Sequence, residues 1–254
     1  MEQQNKQQKT AFFRFFELWF QNFWMLVPIN FIYSVISALI LPAGLAQAGI
    51  TNVTRNIARS RHSFGVSDFF DTIKANWKQS LIVGIINALV SLALCFGILF
   101  YYNSAGILAD IGLGFLLMCF AAFSFMRYYI WFMIITFDLP LSKIYKNSFL
   151  LTFVNLKNNL LLGVAELILY VPLILAAILL PHFVILFLCM IVAVFIVPGF
   201  VNLLIQFTIF PAIQKHMLDP YYEAHPDEDI SLRKSLSMDT GEQPKESKPP
   251  VFHD

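Results

Sequence analysis

One stretch of the chain, residues 81–102, contains no charged side chain. Because a helix rises about 1.5 Å per residue, a helix of this length spans roughly 30 Å, the thickness of the hydrocarbon core of a bilayer. Lys74 and Lys78 precede the stretch, and Tyr101 and Tyr102 end it. Basic residues favour the cytoplasmic side of a membrane, and tyrosines favour its interface with water. The stretch therefore predicts a transmembrane helix that enters the bilayer from the cytoplasm.

The composition of the whole chain agrees with a lipid environment. Hydrophobic residues make up 58% of the 254 residues, charged residues make up 13%, and the mean hydropathy is +0.67. Soluble domains carry about 25% charged residues. A chain this apolar has too little polar surface to cover a globule in water, so we predict an all-α fold, a polytopic helical membrane bundle. The net charge of +1 gives no argument for nucleic-acid binding.

The apolar runs predict six spans, with five as the alternative. The second run is the ambiguous one, because it is short and polar for a span. Its small residues, Gly44, Ala46, Ala48 and Gly49, nevertheless allow close helix packing inside a bundle. The predicted spans are residues 23–41, 45–59, 81–102, 107–137, 158–180 and 183–210.

Prolines and polar residues predict irregular backbone within two of these spans. Pro28 and Asn30, near the start of the first span, predict a kink or a polar contact there. Pro198 and Gly199 predict a kink in the last span.

Short amphipathic helices are expected at the membrane surface. Aromatic residues at helical spacing over 11–24 predict a helix that lies in the interface and then turns into the membrane. Ser67, which precedes two acidic residues, predicts the N-cap of a short cytosolic helix that ends at Lys78. Residues 142–152 predict a third such helix, with Lys146 on its polar side.

The positions of lysine and arginine predict the orientation. They occur before the first span, in 55–78, in 127–157 and after the last span, whereas the turns at 103–106 and 181–182 have none. With six spans, this places both termini in the cytoplasm of a multi-pass cell-membrane protein, whereas five spans would put the N-terminus outside. The predicted organisation is a polar N-terminus with an interfacial aromatic helix at 1–22, a transmembrane domain at 23–218, and a cytosolic, largely disordered tail at 219–254.

Arg127 and Glu166 are ionisable residues inside predicted spans, where burial of a charge in lipid costs several kcal/mol. Arg127 lies about 16 Å from the end of its helix, and Glu166 lies about 12 Å from the start of the next, so both are at similar depth. An ion pair would leave neither charge alone. The pair has two interpretations: a structural contact that holds the bundle, or a site for a polar ligand or a conformational latch.

The sequence carries no recognisable enzyme motif. It has no G-x-S-x-G, no Walker A, no H-E-x-x-H and no Rossmann fingerprint. The histidines are scattered without metal-ligand spacing, and Cys95, Cys119 and Cys189 lie within apolar runs, as small core residues do. We therefore expect a protein that is not an enzyme and that uses no metal or cofactor.

Four stretches together resemble the YesL-like family of bacterial membrane proteins, a domain of unknown function. The most specific is SDFFDTIKANWKQS at 67–80. The others are FELWFQNFWML at 16–26, GLAQA at 44–48 running to Arg55 and Arg59, and KNS at 146–148 together with FPAIQKHMLDPYY at 210–222. The family usually has Thr two residues before Gly44, where this chain has Pro42, so a hydroxyl role at that position does not transfer.

This resemblance implies an integral membrane protein linked to carbohydrate uptake or its regulation. Members are often encoded in Gram-positive bacteria beside sugar ABC importers and two-component sensors, so a sugar ABC importer or a sensor kinase is the implied partner, beside the lipid bilayer. The resemblance assigns no mechanism and no catalytic residue. The family motifs are concentrated on the predicted cytosolic helices, whose expected docking residues are Asp68, Phe69, Asn76, Trp77, Lys78, Lys146 and Asn147.

The sequence leaves two principal functions open. The first is a non-catalytic accessory protein that docks a partner through its cytosolic helices. The alternative is a small autonomous transporter in which Arg127, Glu166 and kinks at Pro172 and Pro198 are the moving parts. Discontinuous helices do mark transporters, although no clear internal repeat is readable here. An enzyme acting on a membrane lipid or glycan is a third possibility that has no motif behind it.

Overall fold

The computed structural model describes residues 11–61, 63–180 and 182–219, and over these residues the protein is helical with no strand. The contacts divide the chain into two units, residues 1–212 and 213–254. In the second unit the described part is a π-helical turn, Gln214–Leu218, with one residue on either side. The helices in chain order are α1 (Ala11–Ala38), α2 (Ala43–Ala58), α3 (Val66–Tyr102), α4 (Ile107–Thr136), α5 (Leu141–Val154), α6 (Leu156–Leu179), α7 (Phe183–Phe195) and α8 (Val197–Ile213).

Four described helical segments are long and apolar enough to cross a membrane. They are Val66–Tyr102, Ile107–Thr136, Leu156–Leu179 and Val197–Leu218, and Phe183–Phe195 is a shorter apolar helix. In α6 and α7 most of the large apolar side chains are exposed. A soluble protein rarely leaves so large an apolar surface uncovered, whereas a membrane protein presents it to lipid. The predicted all-α membrane fold is thus confirmed in its helical class and its membrane-like helices, and six spans stay a prediction.

Helix α2, the ambiguous second run, lies at the centre of the first unit, where it contacts α1, α3 and α4. The small residues expected to allow close packing, Gly44, Ala46, Ala48 and Gly49, are all buried. A Cβ atom built on Gly44 would lie 2.8 Å from the Cα of Gly84, closer than carbon atoms pack. The prediction of close helix packing here is therefore confirmed, and the partner is α3.

Helix α1 corrects the expectation of an interfacial helix that turns into the membrane at about residue 23. The structure has one unbroken helix of 28 residues, with Pro28 inside it. Its buried side chains, among them Phe15, Leu18 and Leu26, belong to the same core cluster as Ile50 of α2. Because this face packs against the bundle from Phe15 onward, the aromatic segment continues the helix.

Helix α3 begins at Val66 and not at the predicted N-cap, Ser67. The residue before it, Gly65, has φ +63°, a left-handed conformation that glycine adopts without strain. Asp68 organises this turn, because its Oδ2 accepts hydrogen bonds from Ser63 Oγ at 2.8 Å and from the Phe64 backbone N–H at 2.9 Å. The helix then runs without a break for 37 residues to Tyr102. The predicted cytosolic helix at 67–78 and the predicted span at 81–102 are therefore one continuous helix.

The last predicted span is broken where the sequence predicts a kink. Helix α7 ends at Phe195 and α8 begins at Val197, with Ile196 between them in a non-helical conformation. Pro198 has no N–H to give to the carbonyl of Val194, four residues earlier. Ser34 Oγ donates to that carbonyl at 3.1 Å, and Asn30 Nδ2 donates to the carbonyl of Phe195 at 2.7 Å. The predicted polar contact at Asn30 is therefore confirmed, and it stabilises the break.

Candidate functional site

A polar cavity of about 340 Å³ lies inside the first unit, between α1, α2, α4, α6 and α8. Arg127 of α4 and Glu166 of α6 both line it, as the sequence predicts from their similar depth. Glu166 is half-buried and lies within electrostatic reach of Arg127 and beside the hydroxyl of Tyr128. The structure thus brings the two charges to one cavity, while a direct ion pair between them stays a prediction.

Arg127 is exposed, although it lies well inside α4. Nine residues, about 14 Å of helix, separate it from the end of that helix at Thr136. An arginine at this depth in a bilayer is costly unless polar groups or water surround its guanidinium. Because Arg127 also lines the polar cavity, polar groups of the cavity lie near its side chain.

A chain of side-chain hydrogen bonds forms one wall of the cavity. Tyr33 Oη of α1 donates to Gln47 Oε1 of α2 at 2.8 Å, and Gln47 Nε2 donates to Asn202 Oδ1 of α8 at 2.7 Å. Asn202 Nδ2 donates in turn to the carbonyl of Pro198 at 2.8 Å. Because each amide uses both its oxygen and its nitrogen, this wall holds three helices in a fixed relation next to the helix break.

Two buried polar atoms on the cavity, the Tyr128 hydroxyl and Gln206 Oε1, have no hydrogen-bond partner among the described residues. Gln206, one helical turn after Asn202, is only 2% exposed, yet its Oε1 accepts no hydrogen bond. A buried acceptor without a donor costs about 1–3 kcal/mol, so such atoms are rare in folded proteins. The cavity therefore contains an acceptor that water or a ligand would satisfy.

A second, smaller cavity of about 200 Å³ adjoins the first and shares Tyr33, Gln47, Arg127 and Trp131 with it. Asn87 of α3 lines it, and its side chain is 6% exposed. The Asn87 Oδ1 accepts a hydrogen bond from Tyr145 Oη of α5 at 3.1 Å, whereas its Nδ2 has no partner among the residues described. The two cavities thus carry an unsatisfied amide acceptor, Gln206 Oε1, and an unsatisfied amide donor, Asn87 Nδ2, beside the unpartnered hydroxyls of Tyr128 and Ser37.

Two arginines at the C-terminal end of α2, Arg55 and Arg59, contact α4 and α8. Arg55 Nη1 donates to Thr136 Oγ1 at 2.6 Å and to the carbonyl of Ile135 at 3.2 Å, and its Nη2 donates to Asn52 Oδ1 at 2.6 Å. The guanidinium of Arg59 lies 4.3 Å from the centre of the Phe210 ring. A cation at the C-terminal end of α4 is favourable because the last carbonyls of a helix carry partial negative charge.

The expected docking residues divide into exposed and buried sets. Trp77 is 50% exposed, and Lys78 and Lys146 are exposed as well, with the Lys78 Nζ 5.5 Å from the centre of the Trp77 ring. Asp68 binds the turn before α3, as described above. Phe69 is fully buried against Gly49 of α2, so it packs the core and is not available to a partner.

The other two expected docking residues, Asn76 and Asn147, are half-buried. Asn76 Nδ2 donates to the carbonyl of Thr72 in its own helix at 3.1 Å. Two hydrogen bonds hold α3 beside the segment that leads into α5, from Gln79 Nε2 to the carbonyl of Leu139 at 2.9 Å and from Tyr145 to Asn87. Burial raises the pKa of Tyr145 to about 12, so its hydroxyl keeps the proton that it donates.

Sequence reasoning missed the amide residues of the cavity, Gln47, Asn202 and Gln206. A usable signal was present: Asn202 and Gln206 are four residues apart in an uncharged run, and that spacing puts both on one face of a helix. The spacing does not reveal the hydrogen-bond partner of Asn202, because that partner, Gln47, lies 155 residues away along the chain.

Comparisons of the chain with curated proteins and with solved structures give no match. A comparison with protein families gives one match, over residues 25–98, which is just under a third of the chain. These residues include the second half of α1, all of α2 and most of α3, and therefore Tyr33, Gln47 and Asn87 of the two cavities. Over this segment the chain is similar to the family described as "Protein of unknown function, DUF624".

Proposed function

We propose that this chain is a non-catalytic membrane protein that assists carbohydrate uptake or its regulation by docking a partner on the cytosolic side. The observation that carries the proposal is the surface of α3 around Trp77, which is half exposed between the exposed Lys74 and Lys78. Tryptophan is enriched among interface hot spots, and lysines add positive charge that steers an acidic partner toward the surface. We call Trp77, Lys78 and Lys146 the basic-aromatic patch.

The two parts of the basic-aromatic patch lie on elements that are joined to each other. The Gln79 and Tyr145 hydrogen bonds fix α3 against the α5 region, so a partner helix would meet a prearranged surface. Prearranged surfaces lose less conformational entropy on binding. The link to carbohydrate rests on the resemblance to the YesL-like family, and an importer subunit or a sensor kinase is the proposed partner.

Affinity capture of the full-length protein in mild detergent, followed by mass spectrometry, tests this proposal. We expect sugar-importer subunits or a sensor kinase to copurify, and the Trp77→Ala and Lys146→Ala variants to lose them. Lys157→Ala is the matched control, because Lys157 is an exposed lysine near the start of α6 outside the patch. Recovery of the protein alone, or equal capture by all variants, would contradict the docking role.

A second function, an autonomous transporter, is favoured by a different observation. The break between α7 and α8 lies next to the hydrogen-bonded wall of the polar cavity, and broken helices at a polar site are a feature of secondary transporters. Flux of a labelled sugar into liposomes that contain only the purified protein would support this alternative over the accessory role. Glu166→Gln should then slow the flux, and liposomes without protein give the background.

A further inference from the structure

We propose that the two adjoining cavities form one binding site for a small, uncharged molecule with several hydroxyl groups. The site takes its wall from Tyr33, Gln47, Arg127 and Trp131, which line both cavities. The inference is independent of the docking surface and concerns the interior of the first unit.

The size of the site limits the ligand. Ligand pockets in proteins occupy about 300–1,000 Å³. The larger cavity, at about 340 Å³, is at the small end of this range, and the adjoining one adds about 200 Å³. A molecule of one or two rings fits this space, whereas a lipid with its acyl chains does not.

The charges that line the site favour a neutral ligand. An anion would gain from Arg127 but would be repelled by Glu166, and a cation would meet the reverse. A hydroxyl group can donate to the carboxylate and accept from the guanidinium, so it uses both charges without conflict. Arg127 is exposed as well as lining the cavity, so a polar ligand there would cover a charge that is otherwise costly in a membrane.

The unsatisfied groups point to the same chemistry. Gln206 Oε1 needs a donor and Asn87 Nδ2 needs an acceptor, and both side chains are more than nine-tenths buried. An ammonium group satisfies only the acceptor and a carboxylate satisfies only the donor, whereas each hydroxyl can do either. A polyhydroxylated molecule therefore fits both cavities with one kind of group.

Aromatic side chains complete the match. Tyr33, Tyr128, Trp131 and Tyr170 lie on the larger cavity and present apolar ring surface between the polar groups. A sugar ring has an apolar face of C–H groups and a rim of hydroxyl groups, so it can contact rings and amides at once. Sites of this mixed kind orient a ligand with few polar groups on a mostly apolar wall.

Protection of an introduced cysteine tests the site in the full-length protein in lipid nanodiscs. The free cysteines, Cys95, Cys119 and Cys189, are first replaced by alanine. Ser124, a small residue on the larger cavity, is changed in the Ser124→Cys variant and labelled with a small water-soluble methanethiosulfonate. Ser142→Cys, at an exposed position on α5, is the matched control.

We expect glucose or maltose to slow labelling of Ser124→Cys and to leave that of Ser142→Cys unchanged. A ligand at ten times its dissociation constant leaves about one site in eleven empty, so the expected slowing is about 10-fold. Gln206→Leu, which removes the unsatisfied acceptor, should reduce this protection, whereas Gln21→Leu at an exposed glutamine of α1 should not.

Several results would overturn the proposal. Labelling that neither sugar slows would overturn the proposal, and so would a Ser124→Cys variant that is never labelled, because its cavity would be closed to water-soluble molecules. Protection by alanine or inorganic phosphate but not by sugar would assign the site to a zwitterion or an anion. Protection that survives Gln206→Leu would place the sugar elsewhere. Capture of a partner protein bears on none of these outcomes, so this proposal and the docking role fail separately.

Discussion

At the scale of single residues, two glycines decide how closely α2 and α3 approach. Gly44 and Gly84 face each other, and a Cβ atom on Gly84 would lie 2.8 Å from the Cα of Gly44. In a membrane the hydrophobic effect does not drive helices together, because lipid tails are as apolar as the side chains. Helix association depends instead on close packing, which small residues allow. The contact therefore depends on the absence of a side chain at both positions.

We predict that Gly84→Ala destabilises the protein even though alanine is the better helix former. Alanine gains about 1 kcal/mol of helix propensity over glycine, but overpacking against backbone costs about 1–3 kcal/mol and the backbones cannot yield as a side chain does. Thermal unfolding in detergent should show a lower Tm. Gly114→Ala is the matched control, since a Cβ on Gly114 of α4 meets nothing within 4 Å, and its Tm should stay level or rise. Equal Tm values for both variants would refute the role of this contact.

Single-residue signals also explain which site residues the sequence could reveal. A charge within an apolar run is expensive wherever it lies, so Arg127 and Glu166 are visible without knowledge of the fold. Burying an amide costs less free energy than burying a charge, so an amide in an apolar run does not by itself indicate a site. Gln47 and Asn202 are recognised as site residues only from the hydrogen bond between them in the structure. Phe69 shows the reverse error: its motif lies in a polar segment, but its ring fills the space left by Gly49.

At the scale of elements, the break between α7 and α8 is stabilised by side chains of another helix, α1. A proline inside a helix leaves carbonyls without donors, and within a membrane water is not at hand to replace them. Ser34 and Asn30, which are one turn apart on α1, supply the donors to Val194 and Phe195. Gly199 leaves the space for this contact, since a Cβ there would lie 3.0 Å from Asn30 Nδ2.

We predict that Asn30→Leu destabilises the protein by about 1–3 kcal/mol, the cost of leaving a buried carbonyl without its donor. Unfolding by increasing SDS fraction in mixed micelles measures the change. The matched control is Asn22→Leu, because Asn22 is on the same helix and donates only to the carbonyl of Leu18 in its own helix, at 2.8 Å. A loss no greater for Asn30→Leu than for Asn22→Leu would show that α1 does not stabilise the break.

Element boundaries were predictable where the chain itself marks them. The turn at 103–106 and the start of α4 at Ile107 follow the sequence, because a glycine with positive φ precedes the helix. The continuity of α1 and of α3 was not predictable, because a change from amphipathic to apolar composition does not interrupt backbone hydrogen bonding. Neither helix contains a residue that breaks it at the expected place, and Pro28 is accommodated within α1.

At the scale of the whole molecule, orientation in the membrane follows from charge and is open to a direct test. The turn between α3 and α4 carries no lysine or arginine, whereas α5 carries Lys143 and Lys146. The positive-inside rule then predicts that the turn faces outward and α5 faces the cytoplasm.

We predict that a membrane-impermeant thiol reagent labels Asn103→Cys in intact cells, and labels Ser142→Cys only after the cells are permeabilised. Both variants are made in the protein without its native cysteines, and both sites are exposed in the structure. Each variant is the control for the other, since both should react fully in detergent. The opposite pattern would invert the topology and move the basic-aromatic patch to the outer face.

Because α3 is one uninterrupted helix, it connects the surface around Trp77 to the cavity at Asn87. Trp77 and Asn87 are ten residues apart on it, about 15 Å, and Gly84 lies between them, packed against Gly44 of α2. A helix without a hinge moves as one body, so a tilt about the glycine contact displaces its two ends in opposite directions. On the proposed topology, a partner that displaces α3 at Trp77 would therefore also displace Asn87, and a molecule bound at Asn87 would resist that displacement.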